Sequence, residues 1–172
     1  MEYYVAENPD ELYHYGVKGM KWGVQRYRNP YGGLTREGAR RSRQYARKIG
    51  RADRSLNRKS GRRAVDAYNE TARLMNNGLI NKYNREWEKR HGDDVGPEYE
   101  SKYYAYNDKI MGQVQKKMDY QAIVNNRSFQ KAQDFARKYD MESWDDLAKQ
   151  NKEFINKYMK EASKPIDDSI DW

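Results

Sequence analysis

Cysteine is absent from this 172-residue chain. That excludes disulfides, iron–sulfur clusters and thiolate zinc sites. Histidine occurs twice, at His14 and His91, so an imidazole-based catalytic set has little to draw on. No Walker pattern, GxSxG elbow or HExxH helix is present. No run approaches the roughly 18 apolar residues of a membrane span, and the first residues lack the basic start and apolar core of a signal peptide. A soluble protein not secreted by that route is the expectation. Valine and isoleucine are scarce, and no stretch alternates in period two with β-branched residues, so a β fold is not expected.

What remains is charge and tyrosine. Charged residues make up 35% of the chain and apolar residues 37%, and 16 tyrosines stand against 3 phenylalanines. A tyrosine buries its ring and keeps its hydroxyl wet, which suits half-buried faces and binding surfaces. The net charge of +8 is uneven: 12 Lys/Arg lie within 36–63 against only Glu37 and Asp53.

The pattern predicts an all-α protein, a small bundle of about five helices with an irregular N-terminal extension rich in glycine and aromatics. Expected divisions are 1–34 as a docking segment, 35–163 as the helical domain and 164–172 as an acidic tail. Thr35 is placed to cap the first helix, over about 36–59, with Ala39, Ser42, Ala46, Ile49, Ala52 and Leu56 as a narrow apolar stripe. A second helix over 62–90 has Val65, Tyr68, Ala72, Met75 and Leu79 inward, with a kink or split expected at Asn76-Asn77-Gly78. A third starts at Pro97. Two shorter ones follow, capped by Ser128 and starting near Ser143. The second of these carries Trp144, Leu147, Phe154, Ile155, Tyr158 and Met159. Tyr68, Tyr83, Tyr99, Tyr103, Tyr106, Tyr139 and Tyr158 fall on these stripes and are expected in the core.

Residues 13–38 fit neither periodicity. Gly16, Gly19 and Gly23 would each cost a helix about 1 kcal/mol, and Asn29-Pro30-Tyr31-Gly32-Gly33 is a turn. Aromatics and cations alternate here. His14, Tyr15, Lys18, Met20, Lys21, Trp22, Val24, Arg26 and Tyr27 are candidates for docking on a partner. The other reading is that Trp22 and Val24 fold back over the thin core of the first two helices.

The second candidate site is the basic helix, with Arg40, Arg41, Arg43, Arg47, Lys48, Arg51, Arg54, Arg58, Arg62 and Arg63. Arginine dominates, which favours forks onto phosphate or carboxylate. Like charges at i,i+4 repel by tenths of a kcal/mol per pair, so something must offset them. Two sources are open: a nucleic-acid backbone, or an acidic face of the same chain or of a partner protein. His91 with Asp93 and Asp94 forms no converging ligand set, so no metal is expected, nor any cofactor or small-molecule substrate.

The run from His14 to Tyr27, with Lys21-Trp22-Gly23 at its centre, is followed by Asn29, Gly32 or Gly33, Leu34-Thr35 and Gly38. It resembles a motif of tailed bacteriophages and prophages of gut Firmicutes, found in head-region and minor capsid-type proteins. The likeness covers residues 13–43. Gln25 stands where arginine is usual, Arg28 where glutamine is usual, and Tyr31-Gly32-Gly33 replaces the usual x-Asp-Gly while keeping the turn. The resemblance implies a small, non-enzymatic phage protein associated with the virion or head assembly, with a phage structural protein as partner. It would act in the bacterial host cytoplasm or the virion. The alternative is a phage-encoded anti-defence inhibitor, anti-CRISPR-like, that binds a host nucleoprotein complex.

Overall fold

The computed structural model describes residues 27–172. It is all-α. Among the described residues the only β feature is an isolated bridge between Arg28 and Leu34. The helices are α1 (Arg36–Arg58), α2 (Ser60–Leu74), α3 (Ile80–His91), α4 (Pro97–Val124), α5 (Arg127–Lys138) and α6 (Asp146–Ala162). Among the described residues no helix is long and apolar enough to cross a membrane.

The described chain forms two compact units, each assembled from separated stretches. The first takes residues 27–54 and Asn126–Ile155; the second takes Ser55–Asn125 and Asn156–Trp172. Their boundaries fall within α1, between α4 and α5, and within α6.

In the first unit α1 packs through Gly38, Tyr45 and Ala52. The core consists of Tyr27, Tyr45, Ala132, Ala136, Met141, Trp144 and Ala148, flanked by Ile49, Phe135 and Tyr139. The predicted α1 stripe is therefore corrected by rotation: Tyr45 is fully buried and Ala46 is exposed. Small residues on α5 (Ala132, Ala136) leave room for the large Tyr45 ring, a complementarity across helices that α1's own periodicity does not contain. One cap and one helix start also differ from expectation. Asn126, not Ser128, caps α5 by accepting from the Ser128 and Phe129 N–H groups. Ser143 ends a 3-10 turn, Met141–Ser143, and Asp145 caps α6 by accepting from Leu147 and Ala148. The Asp145 carboxylate also accepts from Ser42 Oγ at 3.0 Å, tying α6 to α1.

In the second unit the expected break at Asn76-Asn77-Gly78 is a π-helical turn, Met75–Leu79, in which Gly78 takes φ 138°. The core is aromatic. Tyr83 meets Tyr99, Tyr103, Tyr106 and Trp172 with ring centroids 5.4–5.9 Å apart. Tyr68 and Val65 are corrections: both are exposed, at 65% and 59%, while Ala67 and Thr71 face inward. Thr71 tolerates burial because its hydroxyl donates to the Ala67 carbonyl within the helix. In the C-terminal stretch, Leu147 and Phe154 of the first unit and Met159 of the second are also exposed rather than inward.

The C-terminal tail is not a loose acidic appendage. Ile166, Ile170 and Trp172 pack on the second unit's core. Lys82 and the Tyr106 hydroxyl donate to the Asp168 carbonyl, Lys109 to that of Ser169, and Gln113 to that of Asp167. Asp168 pairs with Lys82, and Asp167 and Asp171 pair with Lys109.

Candidate nucleic-acid interface

The site begins with what holds the N-terminus of α1. Asn29 turns the chain: its side chain accepts from the N–H groups of Tyr31 and Gly33, and Gly32 closes the turn at φ 82°. The chain then returns, with the Thr35 N–H donating to the Tyr27 carbonyl at 2.9 Å. Thr35 Oγ1 accepts from the Gly38 N–H at 3.1 Å, the cap expected from sequence. Gly38 has no substitute here. A Cβ would lie 2.1 Å from the Tyr27 carbonyl oxygen. The downstream part of the motif thus forms a closed loop that clamps Tyr27 on α1. Tyr27 stacks on Trp144 at 5.5 Å and meets Tyr139 edge-on at 6.1 Å. Arg28 donates to the carbonyls of Gly32 and Trp144.

This corrects the docking role assigned to Tyr27: it is 5% exposed and belongs to the core. A residue with so little free surface offers a partner almost nothing. The other docking candidates, His14, Tyr15, Lys18, Met20, Lys21, Trp22, Val24 and Arg26, lie outside the described residues.

The basic residues separate by face. At about 100° per residue, Arg36, Arg40, Arg43, Arg47, Arg51 and Arg54 fall within an arc of about 80°. All six are exposed. The buried Gly38, Tyr45 and Ala52 lie on the opposite side of the helix, so the arginine stripe points directly away from the core. It runs about 27 Å, at 1.5 Å per residue. Arg58 keeps the same spacing past the unit boundary and is also exposed.

Only Arg40 of these six has a carboxylate partner among the described residues, Glu37 at 2.9 Å. That hydrogen bond, helped by the charges of Arg40 and Arg41, holds the Glu37 carboxyl below the usual range. Arg36, Arg43, Arg47, Arg51 and Arg54 have none among the described residues. Arg36 was missed in the sequence because its role as first residue of the helix concealed the regular 4-3-4-4-3 spacing that it begins.

Three predicted binders are corrected. Arg41 turns to Glu37 and lies over the Tyr139 ring at 4.1 Å. Lys48 lies over the Phe135 ring at 5.2 Å. Arg63, on α2, pairs with Asp119 at 2.7 Å and donates to the Leu56 carbonyl. These cations are already used in holding their own unit together. Arg62 is exposed on α2, 4.0 Å from Asp66.

Elsewhere little converges. His91 stacks on Trp87 at 4.1 Å, and Asp94 accepts from Trp87 Nε1 and from the Gly96 N–H. Among the described residues no group of three or more His, Asp or Glu could hold a metal ion.

Comparison with known proteins adds one match. Residues 6–29 match the model of a family of unknown function, DUF7211. The match is confined to that stretch and ends on the clamped Tyr27–Asn29 segment. Compared with the curated proteins and with the solved structures, the chain matches none.

Proposed function

We propose that this is a non-enzymatic bacteriophage protein, associated with the virion or with head assembly. In this reading the segment around Trp22 docks on a protein surface, and the arginine face of α1 lies against a nucleic-acid backbone. The observation that carries it is the set of five exposed arginines, Arg36, Arg43, Arg47, Arg51 and Arg54, with no carboxylate partner among the described residues. A face of one sign, opposite the core, costs helix stability when empty and is relieved by an external polyanion. The phage context rests on the resemblance of residues 13–43.

Two experiments test the two halves. Mass spectrometry of purified particles should detect the protein among the structural components. Its absence there, together with recovery of a host defence nucleoprotein in a pull-down, would overturn the head-associated reading. For the basic face, filter binding to nucleic acid should weaken steeply from low to physiological salt. Salt-independent affinity would count against backbone contacts.

A further inference from the structure

Resting on the nucleic-acid reading of the same face, we infer that the ligand of α1 is double-stranded and is bound through its backbone without regard to sequence. Three features of the stripe point there.

The first is shape. The arginines stand on the outermost surface of a helix whose other side is buried, so they form a convex ridge. Single-strand binders use a concave groove that tracks one backbone and aromatic platforms on which bases stack. The ridge carries no aromatic residue. The one aromatic of α1, Tyr45, is buried on the opposite face. A convex ridge complements a partner with its own groove. An α-helix about 10–12 Å across matches a duplex major groove about 12 Å wide.

The second is the two-sided arrangement of the cations. Arg43, Arg36 and Arg54 lie along one edge of the stripe, and Arg40 and Arg51 along the other, by the helical rotation of 100° per residue. Two rows of guanidinium groups suit two rows of phosphates flanking a groove. On the side of Arg43 the neighbouring positions are Ala39, Ala46 and Gly50. They add no bulk beside the ridge, and a Cβ at Gly50 would meet only the Arg54 guanidinium at 3.7 Å.

The third is the uniform composition of the ridge: every residue of the stripe from Arg36 to Arg54 is arginine, which forks onto phosphate as well as onto guanine, and no amide on it reads adenine, so the backbone is the one feature that all six can meet on any duplex. Gln44, at its edge, is a hydrogen-bond acceptor of Arg41.

The test is fluorescence anisotropy with the full chain against four probes. These are two DNA duplexes of unrelated sequence, an oligo-dT strand of the same length, and poly-glutamate. Both duplexes should bind with similar affinity, at least about tenfold more tightly than oligo-dT. Between about 50 and 200 mM salt the log–log slope should be about −4.5 to −5.5, as about five or six phosphate contacts require. The triple variant Arg43→Gln, Arg47→Gln, Arg51→Gln should flatten that slope by about 2–3. Arg137→Gln, off the stripe, should change it by less than about one. Circular dichroism of each variant confirms that it is folded.

Oligo-dT binding as tight as duplex binding would overturn the double-strand inference and leave the nucleic-acid reading standing. A strong preference between the two duplexes would overturn sequence independence. Poly-glutamate binding without DNA binding, or no binding at all, would remove both readings. An unchanged slope in the triple variant would move the site away from α1.

Discussion

At the scale of single residues, the sharpest constraint is Gly38. The close approach of the Tyr27 carbonyl leaves no volume for a side chain, and a backbone atom cannot swing aside. Gly38→Ala should destabilise the first unit by about 1–3 kcal/mol, as overpacking does, readable as a lowered urea midpoint. It should also change the fluorescence of Trp144, on which Tyr27 stacks. An unchanged midpoint would mean that the clamp forms differently. Trp22→Ala should behave in the opposite way, abolishing partner binding while helix content by circular dichroism stays nearly intact. Loss of helix content would put Trp22 in the core instead.

This contrast bears on what the sequence made legible. Asn29, Gly32 and Thr35 are each readable as turn or cap residues, and the structure gives each such a part, whereas the close approach that requires Gly38 was not legible. Tyr27 was not readable in the same way. It sits among cations and aromatics that look like a binding surface, and only Trp144, 117 positions on in the chain, reveals that its ring is enclosed.

At the scale of elements, periodicity located every described helix and the kink but not every face. On α2, counting back from Met75 by alternating threes and fours leads to Tyr68 and Val65; counting by fours leads to Thr71 and Ala67. The second row is the buried one, because small residues allow α2 and α4 to approach and because Thr71 satisfies its own hydroxyl. Pattern alone favours the larger residues and so favours the wrong row. On α1 the regular spacing of arginines was visible in the sequence, but which arginines are internally paired depends on Tyr139, Phe135 and Glu37.

The π turn provides a test at this scale. Gly78 has φ 138° with open space around it. Gly78→Ala meets no clash yet forces an unfavourable backbone region, at a cost of about 1–2 kcal/mol, measurable by thermal unfolding. If stability rose instead, the turn would have relaxed into a continuous helix. The tail responds to acid in a defined direction. The Ser169 N–H and hydroxyl, with Lys109, hold the Asp167 carboxyl below its ordinary range. Its contribution is present above that range and lost as pH falls through it.

At the scale of the whole molecule, stability should also fail at high pH. Burial pushes the hydroxyls of Tyr45, Tyr83 and Tyr106 up to about 12 from an ordinary 10.0. The charge of Asp145 adds to the effect at Tyr45, and that of Asp168 at Tyr106. A phenol whose folded value is raised keeps its full contribution below pH 10 and loses it as pH climbs towards 12, since the unfolded chain ionises first. Alkaline titration followed at the tyrosinate absorbance therefore reports on these three buried hydroxyls. A late, cooperative group should coincide with loss of helix. A single smooth titration with the helices intact would contradict it.

The interleaving of the two units has a consequence for how the chain is made. Synthesis delivers α1, then α2, α3 and α4, while the first unit still lacks Trp144, Ala132 and Ala136. Contiguous α2 to α4 can associate early, since their partners are near in sequence and loop closure is modest. The aromatic cluster around Tyr83 is completed only when Trp172 emerges from the ribosome. Until Trp172 is made, the nascent chain thus carries an exposed basic α1 and a half-covered aromatic face. That is the interval in which aggregation is most favoured.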